Sequence, residues 1–315
     1  MIEVLGSWKE IRRFSAVALV VMAGLQLASL VCLWALQRLA LRARRWRPVV
    51  TSQLAGNALA KVAPGGGALG AALQYRMLVQ AGLPPAATVA ALTAVNLLVF
   101  AVVLALPVLA IPALLRGSVD RSLLETAIAG LVIFGVASGL GAVLLSTDRP
   151  LAWIGRVVQR VRNRLRRSAE PLQRLPERLL RERDRILHTL GPRWKRALVA
   201  TVGRWTFDYL TLLAALAAIG SHARPGLVLL AFCGAQVLAQ IPVTPGGLGF
   251  VEAGLTAMLA LAGVSAGDAV LATFAYRLFS YWLPLPLGLA AFAFHSAAPS
   301  PPHPRPGPGP GPGDT

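Results

Sequence analysis

Apolar and polar positions along this chain alternate in long blocks, not in short periods. Residues 14–37 form the first apolar block, and a spanning helix needs roughly 20 mostly apolar residues. The block is too long for a signal-peptide core and five arginines follow it, so it predicts a retained spanning helix. Residues 49–63 are only weakly apolar, carry Gln53, Asn57 and Lys61, and are too short to span. They run into Pro64-Gly65-Gly66-Gly67, which breaks any helix because proline lacks an N–H and glycine is conformationally free. A short helical stretch over 68–81 ends at Gly82, and the two together predict a re-entrant hairpin that enters and leaves on one side. Residues 85–106 predict a span, extendable to 115 past Pro107 and Pro112. A polar turn over 116–121 leads to 123–145, which spans back. Later, 197–219 spans; 225–243 is apolar and ends at Pro245-Gly246-Gly247; 248–262 is a second short helix; and 268–294 spans last.

Between these blocks, 148–196 is different material. It holds fifteen Arg/Lys residues and four acids from Arg149 onward. Trp153, Ile154, Val157, Val158, Val161 and Leu165 recur at helical spacing among the arginines. That pattern fits a basic amphipathic helix on a membrane surface, or a solvated linker of charged helices. Residues 297–315 are a Pro/Gly repeat and should be disordered.

Composition supports the block pattern. Of 315 residues, 56% are hydrophobic and 14% charged, against about 25% charged in soluble domains. The formal net charge is +18. A basic excess could indicate nucleic acid, but it lies almost wholly in 38–47 and 149–196, both flanked by apolar spans. Positive charge beside spans marks cytoplasmic loops, so nucleic acid is not an expected partner and anionic lipid headgroups are. Cys32 and Cys233 lie inside apolar blocks and make no CxxC motif. The four histidines form no ligand cluster, so no metal or cofactor is expected.

An internal repeat sharpens the fold. At an offset of 181, Pro64, Gly65 and Gly66 meet Pro245, Gly246 and Gly247, Met77-Leu78 meets Met258-Leu259, and Ala81-Gly82 meets Ala262-Gly263; twelve of 35 positions agree without a gap. With the Arg38–Arg47 loop inside, a count of crossings makes the two hairpins enter from opposite leaflets. The expected fold is an all-α polytopic membrane protein in the plasma membrane, with two inverted halves, each holding a Pro-Gly-Gly hairpin. It would have about 6–7 membrane helices plus half-helices. The basic segment and the C-terminus fall on the cytoplasmic side. The segments are 1–13, a first membrane half 14–147, the basic segment 148–196, a second half 197–295, and the tail 296–315. The same count puts 1–13 outside despite Lys9, Arg12 and Arg13, which one further N-terminal span would explain. Broken helices at membrane depth need protein or a polar cavity over their free backbone groups, so the breaks predict a cavity near the midplane; a simple kink is the plainer alternative.

Candidate chemistry is sparse. The charges within the apolar blocks are Lys61, Arg76, Arg204, Asp208, Glu252 and Arg277, and such groups usually face a cavity or a partner. Arg204 and Asp208, at i and i+4, are expected as a structural ion pair. Glu252, just after the second break, is expected to contact Arg277. Half-helix N-termini after Gly66 and Gly247 present free N–H groups suited to an anion such as a lipid phosphate, with Arg76 and Arg277 adding charge. No Walker loop, HExxH motif, Ser/His/Asp set or paired catalytic carboxylates occur, so enzymatic chemistry is not expected.

The run Ile241-Pro242-Val243-Thr244-Pro245-Gly246-Gly247-Leu248-Gly249-Phe250-Val251-Glu252, then Gly263-Val264, then Tyr276-Arg277-Leu278, resembles one family's C-terminal signature. That family is the membrane region of lysylphosphatidylglycerol synthase and its stand-alone, flippase-like relatives. Asn57, Pro64-Gly65-Gly66 and Gly82 resemble its first half. The chain departs from the pattern at Gly67-Ala68 and Asn96, where many relatives carry charged residues. No stretch resembles the soluble aminoacyl-transferase domain. The resemblance therefore implies handling of an anionic or modified phospholipid, with Pro64, Gly65, Gly66, Arg76, Pro245, Gly246, Gly247, Glu252 and Arg277 along its path. The other reading is a non-transporting accessory subunit that anchors a membrane or cytoplasmic enzyme acting on lipid-linked substrates. The oligomeric state is not legible.

Overall fold

A 26-residue helix, α1 (Ala16–Leu41), begins at Ser15, whose side chain accepts from the Ala18 N–H. At 1.5 Å per residue it is about 39 Å long, enough to cross a bilayer. Val17, Val20, Val21, Leu27 and Val31 on it are exposed. A water-soluble helix would bury such residues; exposed in a row on a long apolar helix, they form a lipid-facing surface. The computed structural model describes residues 15–63, 66–107, 147–165, 191–221, 223–239 and 244–296, with isolated positions at 132, 136, 177, 180, 181 and 184. Among them the order continues with α2 (Trp46–Val62), α3 (Gly66–Gln80), α4 (Pro85–Ala105), α5 (Asp148–Leu165), α6 (Trp194–Ala218), α7 (Pro225–Leu238), α8 (Phe250–Leu261), α9 (Ala266–Arg277) and α10 (Pro284–Ser296). The described secondary structure is wholly helical. The predicted span over 123–145, apart from positions 132 and 136, the segment 1–13 and the tail beyond 296 lie outside the described residues.

Among the described residues, three stretches are long and apolar enough to cross a membrane: Ala16–Leu41, Pro85–Ala105 and Ala266–Phe294. The third is α9 and α10 joined through a π-helical turn, Leu278–Trp282. At 25 residues α6 is as long, but Lys195, Arg196, Arg204 and Asp208 set it apart from those three. Helix α5 carries the basic amphipathic pattern, with Trp153 and Val158 exposed.

Two antiparallel hairpins frame the interior. In the first, α3 runs back along α2, so Gly56 faces Gly70 and Ala60 faces Gly66. A methyl built on Gly56 would lie 2.7 Å from the Gly70 carbonyl oxygen, and one on Gly70 would meet the Gly56 oxygen. The helices approach this closely only because neither glycine has a side chain. Gly56→Ala should lower stability by about 1–3 kcal/mol, the usual cost of overpacking, read as a drop in melting temperature of the purified protein. An unchanged melting temperature would mean the helices part without cost. In the second hairpin α8 runs back along α7, with Gly234 against Met258 and Gly254 against Leu238.

Helix α1 binds both the first hairpin and α6. Trp34 Nε1 donates to Gln53 Oε1 at 2.9 Å, Gln74 Nε2 donates to Gln37 Oε1 at 3.1 Å, and Ser29 Oγ donates to the Arg204 carbonyl at 3.0 Å. The main apolar core gathers α6, α7, α8 and α9 around Phe232, which is fully buried. Its ring meets Trp205 and Tyr276 edge-on, with centroids 6.0 and 6.3 Å away. Trp205 Nε1 donates to the Val99 carbonyl of α4 at 2.9 Å, so the polar tip of that buried ring is satisfied.

Candidate functional site

The site begins with a broken helix. Pro284 has no N–H for the Ser280 carbonyl one turn back, and Pro286 has none for Trp282. The helix widens there, and the Leu283 N–H reaches back five residues to the Leu278 carbonyl at 2.9 Å. Lys61, at the last turn of α2, answers the carbonyls that the widening frees. Its Nζ donates to Ser280 O at 2.8 Å and Tyr281 O at 3.0 Å, and lies 4.8 Å from the Tyr281 ring centroid. Tyr281 returns the contact by donating its hydroxyl to Lys61 O at 2.9 Å. Residues 220 apart in sequence are tied by both backbone and side chain.

The second glycine break lies against this knot. Gly246 has φ 60°, a left-handed conformation that suits glycine, and a Cβ there would sit 2.6 Å from the Tyr281 hydroxyl and 2.8 Å from Lys61 O. Arg277 Nε donates to Glu252 Oε1 at 2.6 Å, and its Nη2 reaches Gly246 O at 3.4 Å. The guanidinium also lies 4.6 Å from the Tyr281 ring centroid. Both members of this pair are largely buried, with side chains 10% and 13% exposed. The contact expected between Glu252 and Arg277 is thus present. Glu252 sits in the first turn of α8, where a carboxylate answers the positive end of the helix. The first turn of α3 holds no acid.

The expected Arg204–Asp208 ion pair is not closed. Asp208 Oδ1 accepts instead from the Tyr276 hydroxyl at 3.2 Å, which itself accepts from Gln236 Nε2 at 3.0 Å. The Arg204 guanidinium carbon lies over Trp205, 4.2 Å from the ring centroid, and its Nη1 is buried without a partner. Stacking on the neighbouring ring draws the arginine off the line to Asp208. Glu252 Oε2, Gln26 Oε1 and Ser280 Oγ are likewise buried and unpartnered. Buried polar atoms left open in this way mark a place where a ligand or water belongs.

These groups surround one cavity of about 490 Å³. Lys61, Arg204, Arg277 and Asp208 line it, with Gly66 and Gly67 from the first break and Gly246 and Gly247 from the second. Asn96 also lines it, and Asn96 is the position that the internal repeat aligns with Arg277. Counting Glu252 on Arg277, three cations face two carboxylates among the described residues. Pro245 is exposed beside the break. Arg76 is exposed on α3 and does not line the cavity. Pro64 and Gly65 lie outside the described residues.

Residues 4–288 match the sequence profile of the lysylphosphatidylglycerol synthase TM region. The chain belongs to this family. It is accordingly an integral membrane protein, and the matching profile is that of the synthase family's membrane region. It is also 26% identical over 177 residues to a "UPF0104 membrane protein" of Methanothermobacter thermautotrophicus, a stretch covering 52% of this chain and 50% of that relative. The chain thus aligns with about half the length of the curated relative it matches. No solved structure matches. For this lysylphosphatidylglycerol synthase TM region, sequence reasoning missed Gln236, Tyr276 and the anchoring role of Lys61. Lys61 stood out as a charge in an apolar block, and the signal for its anchoring role is Pro284, which strips a donor from a carbonyl that some other group must then satisfy. Among the described residues no group of His, Cys, Asp or Glu could hold a metal ion.

Proposed function

We propose that the chain moves an anionic or modified phospholipid between leaflets, with the headgroup passing through the interior cavity. One observation carries the reading: both glycine breaks open onto a single polar cavity in which cations outnumber carboxylates. In a membrane such a cavity would shelter the headgroup while the acyl chains stay in lipid. The phosphate would lie between Arg204 Nη1 and the start of α3, where no acid occupies the helix end. The two antiparallel hairpins suit an inverted arrangement, one entering from each leaflet. Arg277 and Glu252 would brace the second break.

A fluorescent-lipid exchange assay on the purified protein in liposomes tests this. Phosphatidylglycerol should exchange faster with the protein than without it. Arg204→Gln should slow that exchange about ten-fold or more, because a hydrogen bond to a charged group is worth about 1.5–3 kcal/mol. Arg204 also faces buried Asp208 across the cavity, so the melting temperature of the variant is read beside its exchange rate to separate folding from transport. Glu252→Ala, run beside it, should also slow exchange by disturbing the second break. No exchange of any anionic or aminoacylated lipid, with stable co-purification of an enzyme, would shift the reading to an accessory subunit.

A further inference from the structure

A second pocket, of about 450 Å³, lies where the C-terminal end of α1, the turn after it and the first residues of α2 and α6 come together. Arg38, Arg42, Arg44 and Arg193 meet there around Trp46. Among the described residues no carboxylate lines it, and it shares none of them with the interior cavity. Arg42, Arg44 and Arg193 pair with no described carboxylate. Four like charges around one space repel each other, and an anion between them removes that cost.

The charges are held in place by their own turn. Arg38 Nε donates to Ala43 O at 3.2 Å and Nη2 to Arg44 O at 3.4 Å, while its guanidinium lies 4.6 Å from the Trp46 ring centroid. Arg42 closes α1 at φ 50°, a left-handed conformation costly for a residue with a side chain. The helices α2 and α6 both start at this pocket, after Arg45 and Arg193, with neither a side-chain cap nor an acid in the first turn. Their dipoles add to the arginines. Trp46 and Trp194, the first residues of α2 and α6, are 41% and 55% exposed, and exposed indoles beside the end of the spanning helix α1 mark the headgroup zone.

We infer that this pocket binds the phosphate of an anionic membrane lipid from the leaflet on the arginine-rich side. The lipid is a resident ligand that ties α1, α2 and α6 together, and its binding is independent of any lipid movement through the cavity. Planar guanidinium groups match phosphate oxygens in pairs, and the Trp46 indole lines the pocket beside them.

The test uses the full chain in a neutral detergent, titrated separately with dioctanoyl phosphatidylglycerol, dioctanoyl phosphatidylcholine and inorganic phosphate. Native mass spectrometry and melting temperature are the readouts. Phosphatidylglycerol should stay bound and raise the melting temperature, and phosphatidylcholine should do neither. R44Q/R193Q should weaken phosphatidylglycerol binding about ten-fold or more. R193Q alone, at an exposed position, should weaken it by less and guards against a double variant that fails to fold. R204Q, in the interior cavity, should remove only binding there and leave in place the phosphatidylglycerol binding that R44Q/R193Q removes. Equal binding of phosphatidylcholine, or full binding by a folded R44Q/R193Q, overturns the proposal. Inorganic phosphate stabilising at the same concentration as the lipid also overturns it, and would make the pocket a soluble-phosphate site.

Discussion

Arg277→Leu is expected to destabilise the protein by about 3–5 kcal/mol, the typical cost of removing one partner from a buried ion pair. Glu252 Oε2 already has no partner, so the substitution would leave both oxygens of a largely buried carboxylate unanswered. The Gly246 carbonyl and the Tyr281 ring would lose the guanidinium as well. Equilibrium unfolding of purified protein in a denaturing detergent measures the loss. The informative comparison is Glu252→Leu/Arg277→Leu, which removes the orphan and should recover most of the stability. If the two single effects simply add in the double variant, to within about 0.5 kcal/mol, the residues are not coupled and the pair does not brace the break.

The second large effect is at Lys61. Lys61→Met keeps an apolar stem of similar length but strips two charge-assisted hydrogen bonds from the Ser280 and Tyr281 carbonyls. Each such bond is worth about 1.5–3 kcal/mol, so a loss of about 3–6 kcal/mol is expected. The origin of the need suggests the rescue. Pro284→Ala restores an N–H one turn after Ser280 and should return part of the stability in the Lys61→Met background, while doing little in the parent. A Pro284→Ala change that gives no rescue would place the role of Lys61 elsewhere than at the freed carbonyls.

The helical elements were largely legible because lipid imposes a simple rule: long apolar runs become helices, and Pro-Gly clusters end them. The Pro64 and Pro245 clusters both flank helix pairs, and Glu252 meets Arg277 because a costly charge near a break needs a partner. What escaped was set by tertiary geometry. The i, i+4 spacing of Arg204 and Asp208 suggests a pair, but spacing along a helix carries no information about Trp205 or about Tyr276 arriving from another helix. Arg76 was expected to add charge near the helix ends together with Arg277, yet it is exposed on α3 and does not line the cavity. Lys61 stood out only as a misplaced charge, since its partners are backbone atoms of the last span, and backbone atoms have no identity in a sequence.

The two hairpins differ in how their glycines are met, and the difference is mechanical. In the first, backbone rests on backbone at Gly56 and Gly70, and neither surface can yield. In the second, Gly234 and Gly254 receive the tips of Met258 and Leu238, side chains that can change rotamer and let the helices slide. One arm of the molecule is therefore stiff and the other compliant. Any widening of the space between them will be taken up by α7 and α8, with the first hairpin as the fixed jaw.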